Sequence, residues 1–298
     1  MGHKNKLSLV GQIKATLDDQ LAIGRSKHQD KLSGEGTQGK IYSWETYRSY
    51  MKHANYFAAY CKEKHRCKTL EQCRPYVNEW LDSRSNLSPY TVKLEAAALA
   101  KIYSCSTSEF APTKARKRQD ISRSRGTAKR DYGFSLKKNR DIIEFCRSTG
   151  ARRSELTFLT GDALTEKDGQ YYIHFSKATK GGRPRLSPVI GDVDLVVRLM
   201  NEAGSDRVFV KIPSHMDVHG YRADYATRIY QQHARPIEQI PYDRINPKTG
   251  RRYQSDVYYC RGDRAGTKLD KVAMKITSEA LGHSRISVIA GHYLRIEE

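Results

Sequence analysis

No apolar run in this 298-residue sequence approaches the ~20 residues that a membrane-spanning helix requires. Nothing near its start has the form of a signal peptide. Its six cysteines, Cys61, Cys67, Cys73, Cys105, Cys146 and Cys260, include no Cys-x-x-Cys knuckle and suggest no disulfide framework. Cys61, His65, Cys67 and Cys73 crowd together, but the cysteines are separated by five residues each time, and the surrounding pattern is that of an amphipathic helix. Structural zinc sites use tighter pairs, so these thiols are expected in an apolar interior, with no metal. Free thiols suit a reducing cytoplasm, the expected location. Acidic residues are the remaining shortage: 33 Asp and Glu face 53 Lys and Arg, leaving a formal charge of +20. Self-repulsion of that size opposes compaction, so it points to a polyanionic partner, of which nucleic acid is the commonest. On charge alone a ribosome-associated or merely basic protein is the alternative.

What is present divides along the chain. Residues 1–40 are polar, lysine-rich and punctuated by Gly34, Gly36 and Gly39, and are expected to form an arm or leader segment with some helical periodicity over Leu7–Ile23. Residues 41–110 read as a compact helical unit whose short helices, interleaved with lysine and arginine, fit a DNA-clamping module and any small helical bundle equally. Ser43 is placed to cap a helix carrying Trp44, Tyr47, Met51 and Phe57; Thr69 with Gln72 makes a capping box; Ser88-Pro89 opens a third helix through Leu94, Leu99 and Ile102. Residues 111–132 read as a basic linker, in which Lys114, Arg116, Lys117, Arg118, Arg123 and Arg125 are expected to cross a phosphate backbone. From 133 to 298 a second domain is expected. In it Ser135 starts a helix that stops near Gly150, and residues 162–190 switch to the two-residue alternation of a three-stranded antiparallel sheet. Helices follow over Asp192–Gly204, from Asp217 to about Gln232, over Lys271–Leu281 and from Ser284 onward. The fold class is therefore mainly α with a small antiparallel β-sheet (α+β).

Four clusters in this second domain carry chemistry. They are Gly150-Ala151-Arg152-Arg153-Ser154-Glu155, then Lys180-Gly181-Gly182-Arg183-Pro184-Arg185, then His219-Gly220-Tyr221-Arg222, and finally Leu281-Gly282-His283 running on to Gly291-His292-Tyr293. Breaking a phosphodiester without metal calls for cations against the non-bridging oxygens, and the planar fork of arginine suits that task. Arg152 follows a helix stop, with Glu155 one turn on to orient it. His219 and Arg222 share a helix face. Lys180, at a Gly-Gly hairpin tip, is placed to protonate a departing 5′ oxygen, and Arg183 and Arg185 beside it to contact DNA. Tyr293 is one of nineteen tyrosines, so it becomes a nucleophile only in company. The cations around it would favour a phenolate, with His283 donating to phosphate or phenol and His219 moving the proton.

This ordered set resembles the tyrosine recombinase (phage integrase) family, whose signature is Arg, Lys, His-x-x-Arg, His or Trp, then Tyr. Residues 145–295 carry the resemblance, and residues 41–110 are similar in pattern and placement to the family's helical, SAM-like core-binding domain. The resemblance implies a C-shaped clamp on duplex DNA. It also implies a 3′-phosphotyrosine made by Tyr293 with Arg152, Lys180, His219, Arg222 and His283, and neither metal nor cofactor. It further implies a monomer or weak dimer in free solution, a tetramer on paired DNA sites, and a possible DNA-bending accessory protein. Site-specific integration or excision of a mobile element or prophage is the implied role. A type IB topoisomerase and a catalytically silent DNA-binding regulator are the rival readings.

Three features depart from the family pattern. The interval from His283 to Tyr293 is ten residues, where the usual nine lands on His292; one residue turns a helical side chain by about 100°, so the local helix must be offset. About forty extra residues separate Arg222 from Leu281. They include Pro241–Gly250 and an expected hairpin around Tyr258–Asp263, and their basic, aromatic character suits DNA or a neighbouring protomer. Few residues follow Tyr293, so another segment is expected to link protomers.

Overall fold

A computed structural model describes residues 7–116, 134–179 and 182–295. The chain divides into two compact units, Met1–Asp120 and Ile121–Glu298.

The first unit is helical: α1 (Leu9–Asp18), α2 (Lys27–Leu32), α3 (Trp44–His65), α4 (Leu70–Cys73), α5 (Val77–Ser83) and α6 (Pro89–Ile102). The expected caps are in place. Ser43 accepts from the Thr46 N–H at the start of α3, Thr69 and Gln72 form a reciprocal box before α4, and Ser88 caps α6 with proline at its first position. Leu9, Ile13 and Leu17 of α1 are buried in one core with Phe57, Cys61, Cys67, Cys73, Trp80 and Leu99. The Gln12 side chain also bonds Lys68 and Leu70. Residues 7–40 are thus not an arm apart. An apolar stripe at three- and four-residue spacing, diluted by glycine-rich turns on its C-terminal side, buries α1 against α3 and α6. The three cysteines lie in the interior as their apolar surroundings suggested.

In the second unit β1 (Leu164–Lys167), β2 (Gln170–Phe175) and β3 (Arg185–Pro188) form the expected antiparallel sheet, in the order β1-β2-β3. Around it stand α7 (Arg140–Thr149), α8 (Arg153–Phe158), α9 (Val193–Ala203), α10 (Val218–His233) and α11 (Lys271–Ala280). Ser135 caps a turn rather than α7 itself: its Oγ accepts from Lys138 N–H, and the helix opens at Arg140. Helix α10 lies between two cores. Phe145, Leu156, Ile173 and Met200 lie on one side; Met274, Leu281, Ile289 and Leu294 lie on the other. Its residues 220–223 and 225–227 are buried almost without interruption, so a charged side chain here needs specific partners. The close approach of α7 to α10 depends on Gly150, at φ +60°, where a Cβ would stand 2.4 Å from the Tyr225 ring. Between α10 and α11 the insertion forms two small hairpins, β4 (Arg244–Ile245) with β5 (Arg252–Tyr253), and β6 (Val257–Tyr259) with β7 (Lys268–Asp270).

Candidate active site

Two helix ends build the site. Helix α7 stops at Gly150 and α11 at Leu281, and the last carbonyls of a helix have no partner within it. Gly282, at φ +64°, reverses the chain after α11; its N–H bonds Glu279 and the His283 N–H bonds Ser278. This is the paired-bond stop that glycine permits. Leu281-Gly282-His283 therefore closes the helix expected over Lys271–Leu281, and the stop aims the Leu281 carbonyl inward while fixing the His283 backbone.

Arginines collect on these carbonyls. Arg222 donates to Gly150 O, and its Nη2 reaches Leu281 O at 2.5 Å. Arg152 Nη2 meets the same Leu281 oxygen at 2.9 Å, and its Nη1 pairs with Glu155 Oε1 at 2.5 Å. The partial negative charge at the two helix C-termini favours cations there. Glu155, in the first turn of α8, also accepts the Arg152 backbone N–H at 2.8 Å, which is the orienting role its spacing suggested.

A third guanidinium is Arg185, and here the sequence expectation is corrected. Arg185 was read as a DNA contact, yet it is buried in the interior. It donates to Glu155 Oε2 at 2.8 Å, to Ala280 O at 2.6 Å and to Gly150 O at 3.1 Å, and stacks over Phe175. The reason is strand alternation: Arg185 pairs with Phe175 and Ser187 with Ile173 across the sheet, and all four face the core. The signal was legible in the inward alternation of Ile173 and Phe175, extended across the hairpin. Arg153 also has a role the sequence did not reveal: it binds the carbonyls of Pro213, Ser214 and Met216, holding the loop that leads into α10.

Three guanidinium groups thus crowd a nearly dry volume, and two of them, Arg152 and Arg185, share its one carboxylate, Glu155. Burial pushes the Glu155 carboxyl up, but the hydrogen bonds and charge of Arg185, with those of Arg152, hold it down at about 2. Burial together with the charges of Arg185 and Arg152 pushes the Arg222 guanidinium down to about 9. Arginine remains protonated at neutral pH, so the cluster carries uncompensated positive charge that an anion would relieve. Because the folded carboxyl sits near 2 against an ordinary 4.5, its contribution to stability is full above about pH 4.5 and is lost as the pH falls towards 2. Glu155→Gln is expected to cost about 3–5 kcal/mol at pH 7, since it leaves buried cations without their counter-charge. Thermal unfolding between pH 7 and pH 2 checks this: the variant's melting curve should be displaced at neutral pH, and the gap from the wild type should narrow only below about pH 4.5.

The cluster opens on a cleft of about 440 Å³ lined by Arg152, Arg153, Asp217, His219, Arg222, His283 and Tyr293, among others. Tyr293 Oη accepts from Arg222 Nε at 3.4 Å. The tyrosine ring lies 5.1 Å from that of His219 and 5.2 Å from that of His283. His219 is exposed at the mouth, His283 half-buried, and Tyr293 is 5% exposed. Asp217 caps α10 by accepting the Gly220 N–H, which sets the turn that carries His219.

The extra residue between His283 and Tyr293 is absorbed by a π-helical turn over Ile289–Tyr293, in which the Leu294 N–H bonds Ile289 O five residues back. A π-turn accommodates one added residue without reversing the faces on either side of it. His292 consequently points to solvent and Tyr293 into the cleft. The structure brings Arg152, Glu155, His219, Arg222, His283 and Tyr293 together. Lys180 lies outside the described residues, as do Lys117, Arg118, Arg123 and Arg125. Arg183 is exposed; Lys114 and Arg116 are exposed on the first unit, Arg116 stacked over Tyr90.

No protein-family model matches the sequence, and no curated protein matches it. Solved structures do. Against the XerH site-specific recombinase bound to palindromic difH substrate in a post-cleavage complex, the chain superposes with a TM-score of 0.52 at 14% identity, over 97% of its own length and 91% of the other chain. The pre-cleavage XerH complex with difH gives 0.50 at 14% identity, over 97% and 95%. The chain has the tyrosine recombinase fold. At this identity the likeness concerns the fold, and the chemistry must be argued from the cleft.

Proposed function

We propose that this protein is a site-specific recombinase that cuts and rejoins duplex DNA through Tyr293. The observation that carries the reading is the Tyr293 hydroxyl resting on Arg222 inside a cleft that also holds Arg152, His219 and His283. A backbone phosphate entering the cleft meets Arg152 and Arg222, whose remaining N–H donors offset the charge that grows on the non-bridging oxygens. The phenolic oxygen attacks phosphorus as its proton passes to a neighbouring base, for which His219 is placed. The P–O5′ bond breaks, the 5′ oxygen takes up a proton, with Lys180 as donor, and a 3′-phosphotyrosine remains. Attack by a 5′ hydroxyl reverses the sequence and conserves the bond energy, so strands can be exchanged between duplexes. The shared fold supports this, since the XerH structures hold DNA before and after cleavage. Mobile-element integration or excision is the role proposed for it in the cell.

The test is covalent trapping. A duplex nicked just 3′ of the cleavage position loses its short 5′-hydroxyl fragment, which strands the intermediate. The expected result is a protein–DNA adduct that survives denaturing electrophoresis, with a digest peptide carrying the nucleotide on Tyr293. Relaxation of supercoils without joining of partner duplexes would support a topoisomerase instead. Absence of any adduct across a library of candidate attachment sequences would overturn the reading.

A further inference from the structure

The β4–β5 hairpin has no part in the cleft, and its construction calls for an explanation. From 241 to 253 every residue except the half-buried Asn246 is exposed. Tyr242, Ile245 and Tyr253 are respectively 54%, 65% and 41% exposed. Arg244 pairs opposite Tyr253 and Ile245 opposite Arg252, so cations and large apolar groups stand on both faces of the ribbon. Arg244, Lys248, Arg251 and Arg252 face a single acid, Asp243, and that acid is engaged by Ser255 through bonds of 2.6 and 2.8 Å.

A two-stranded ribbon with both faces in water has little intrinsic stability. This one is held from its base. Gln254, buried, donates to Ile237 O and Ile240 O at 2.8 and 2.6 Å. Arg235 clamps the stem behind it to Asp270 at 2.7 Å and to Asp256 at 3.1 Å, and Asp270 also caps α11. The ribbon therefore projects from a fixed stem beside the helix that ends in the site, and its tip buries nothing of its own.

We infer that this ribbon grips DNA: its four cations and flanking tyrosines bind the sugar-phosphate backbone of a duplex, giving the second unit a DNA contact separate from the cleft. Charge complementarity selects the partner. A two-stranded β-ribbon is also of a size that the major groove of B-DNA admits. The inference extends the proposed function by adding a binding surface, and its test does not depend on cleavage.

The experiment compares the full-length protein with the combined variant Arg244→Ala, Lys248→Ala, Arg251→Ala and Arg252→Ala. Binding to a fluorescent 40-base-pair duplex of random sequence is measured from 50 to 200 mM salt. Each lost phosphate contact removes about 0.9 from the slope of log affinity against log salt. Losing two to four contacts means that the wild type sheds about 10- to 150-fold more affinity than the variant over that range. Circular dichroism and a melting curve confirm that the variant, altered only at exposed positions, is folded. Equal slopes with steep wild-type binding overturn the ribbon's role and leave the cleft reading intact. Equal slopes accompanied by a changed sedimentation coefficient overturn it in favour of a contact with a second copy of the chain. A wild type without salt-dependent binding removes the DNA reading altogether.

Discussion

Tyr293→Phe leaves DNA bound and uncleaved. On the nicked suicide duplex the covalent adduct is expected to fall by about 10⁴-fold or more, below detection, because removing the attacking group of a covalent mechanism costs on that scale. Affinity for the same duplex should stay within about threefold, which a filter-binding titration run in parallel would establish. The substitution isolates the chemistry because the ring remains. The tilted ring contacts with His219 and His283 and the position against the Arg222 guanidinium all belong to the ring. The hydroxyl takes with it the 3.4 Å bond from Arg222 Nε, whose loss is worth about 1 kcal/mol of stability. His292→Ala provides the counterpart. Its side chain is exposed on the far side of the π-turn, and adduct formation should be unchanged. Adduct persisting in Tyr293→Phe and vanishing in His292→Ala would move the nucleophile by one residue and overturn the face assignment.

That pair of variants marks where the sequence was legible and where it was not. The helices and the three-stranded sheet follow from signals local in the chain, caps and two-residue alternation, whereas the approach of Arg152, Arg222, His283 and Tyr293 was legible only through the order of the four motifs and the family resemblance they carry. The π-turn was only half legible. The ten-residue interval demanded an offset somewhere between His283 and Tyr293, but where a helix widens is decided by packing, here by Ile289, Ala290 and Leu294 against α10 and α11. Arg185 was misread because charge is a good guide to exposure only until a buried carboxylate and two helix C-termini lie within reach. Those acceptors, Gly150 and Glu155 in one segment and Ala280 in another, are distant from Arg185 along the chain, and no local pattern announces that they converge. The same holds for α1, whose apolar stripe finds α3 and α6 only in three dimensions. Four short, sharply turned residues at β4–β5 gave too little alternation to be recognised as a ribbon.

Arg222→Lys separates two tasks that the guanidinium performs at once, and its expected effect is the second largest. Arg222 is 1% exposed and is held by forked bonds to Gly150 O and Leu281 O, with Nε left for the tyrosine hydroxyl. Lysine keeps the positive charge but has three donors on one nitrogen, which cannot span two carbonyls and also meet the phenol and a phosphate in fixed directions. Electrostatic steering of DNA depends on the summed charge and should survive, so affinity is expected to change by less than about threefold. Single-turnover adduct formation depends on donors aimed where charge develops, and removing one such donor costs about 10²- to 10³-fold. The split between an intact binding constant and a depressed rate is the diagnostic result. A general loss of structure would instead lower both, and the melting curve would show it. Burial, together with the charges of Arg185 and Arg152, holds this guanidinium at about 9, so its charge is poorly compensated before DNA enters. A cation crowded by like charges in a dry cleft gains more from an approaching phosphate than one already neutralised. The gain should be greatest when the phosphorane carries its extra negative charge. If the lysine variant formed adduct within threefold of the wild-type rate, directional donation by Arg222 would have no part in cleavage, and the positive cluster would serve only to hold α7 against α11.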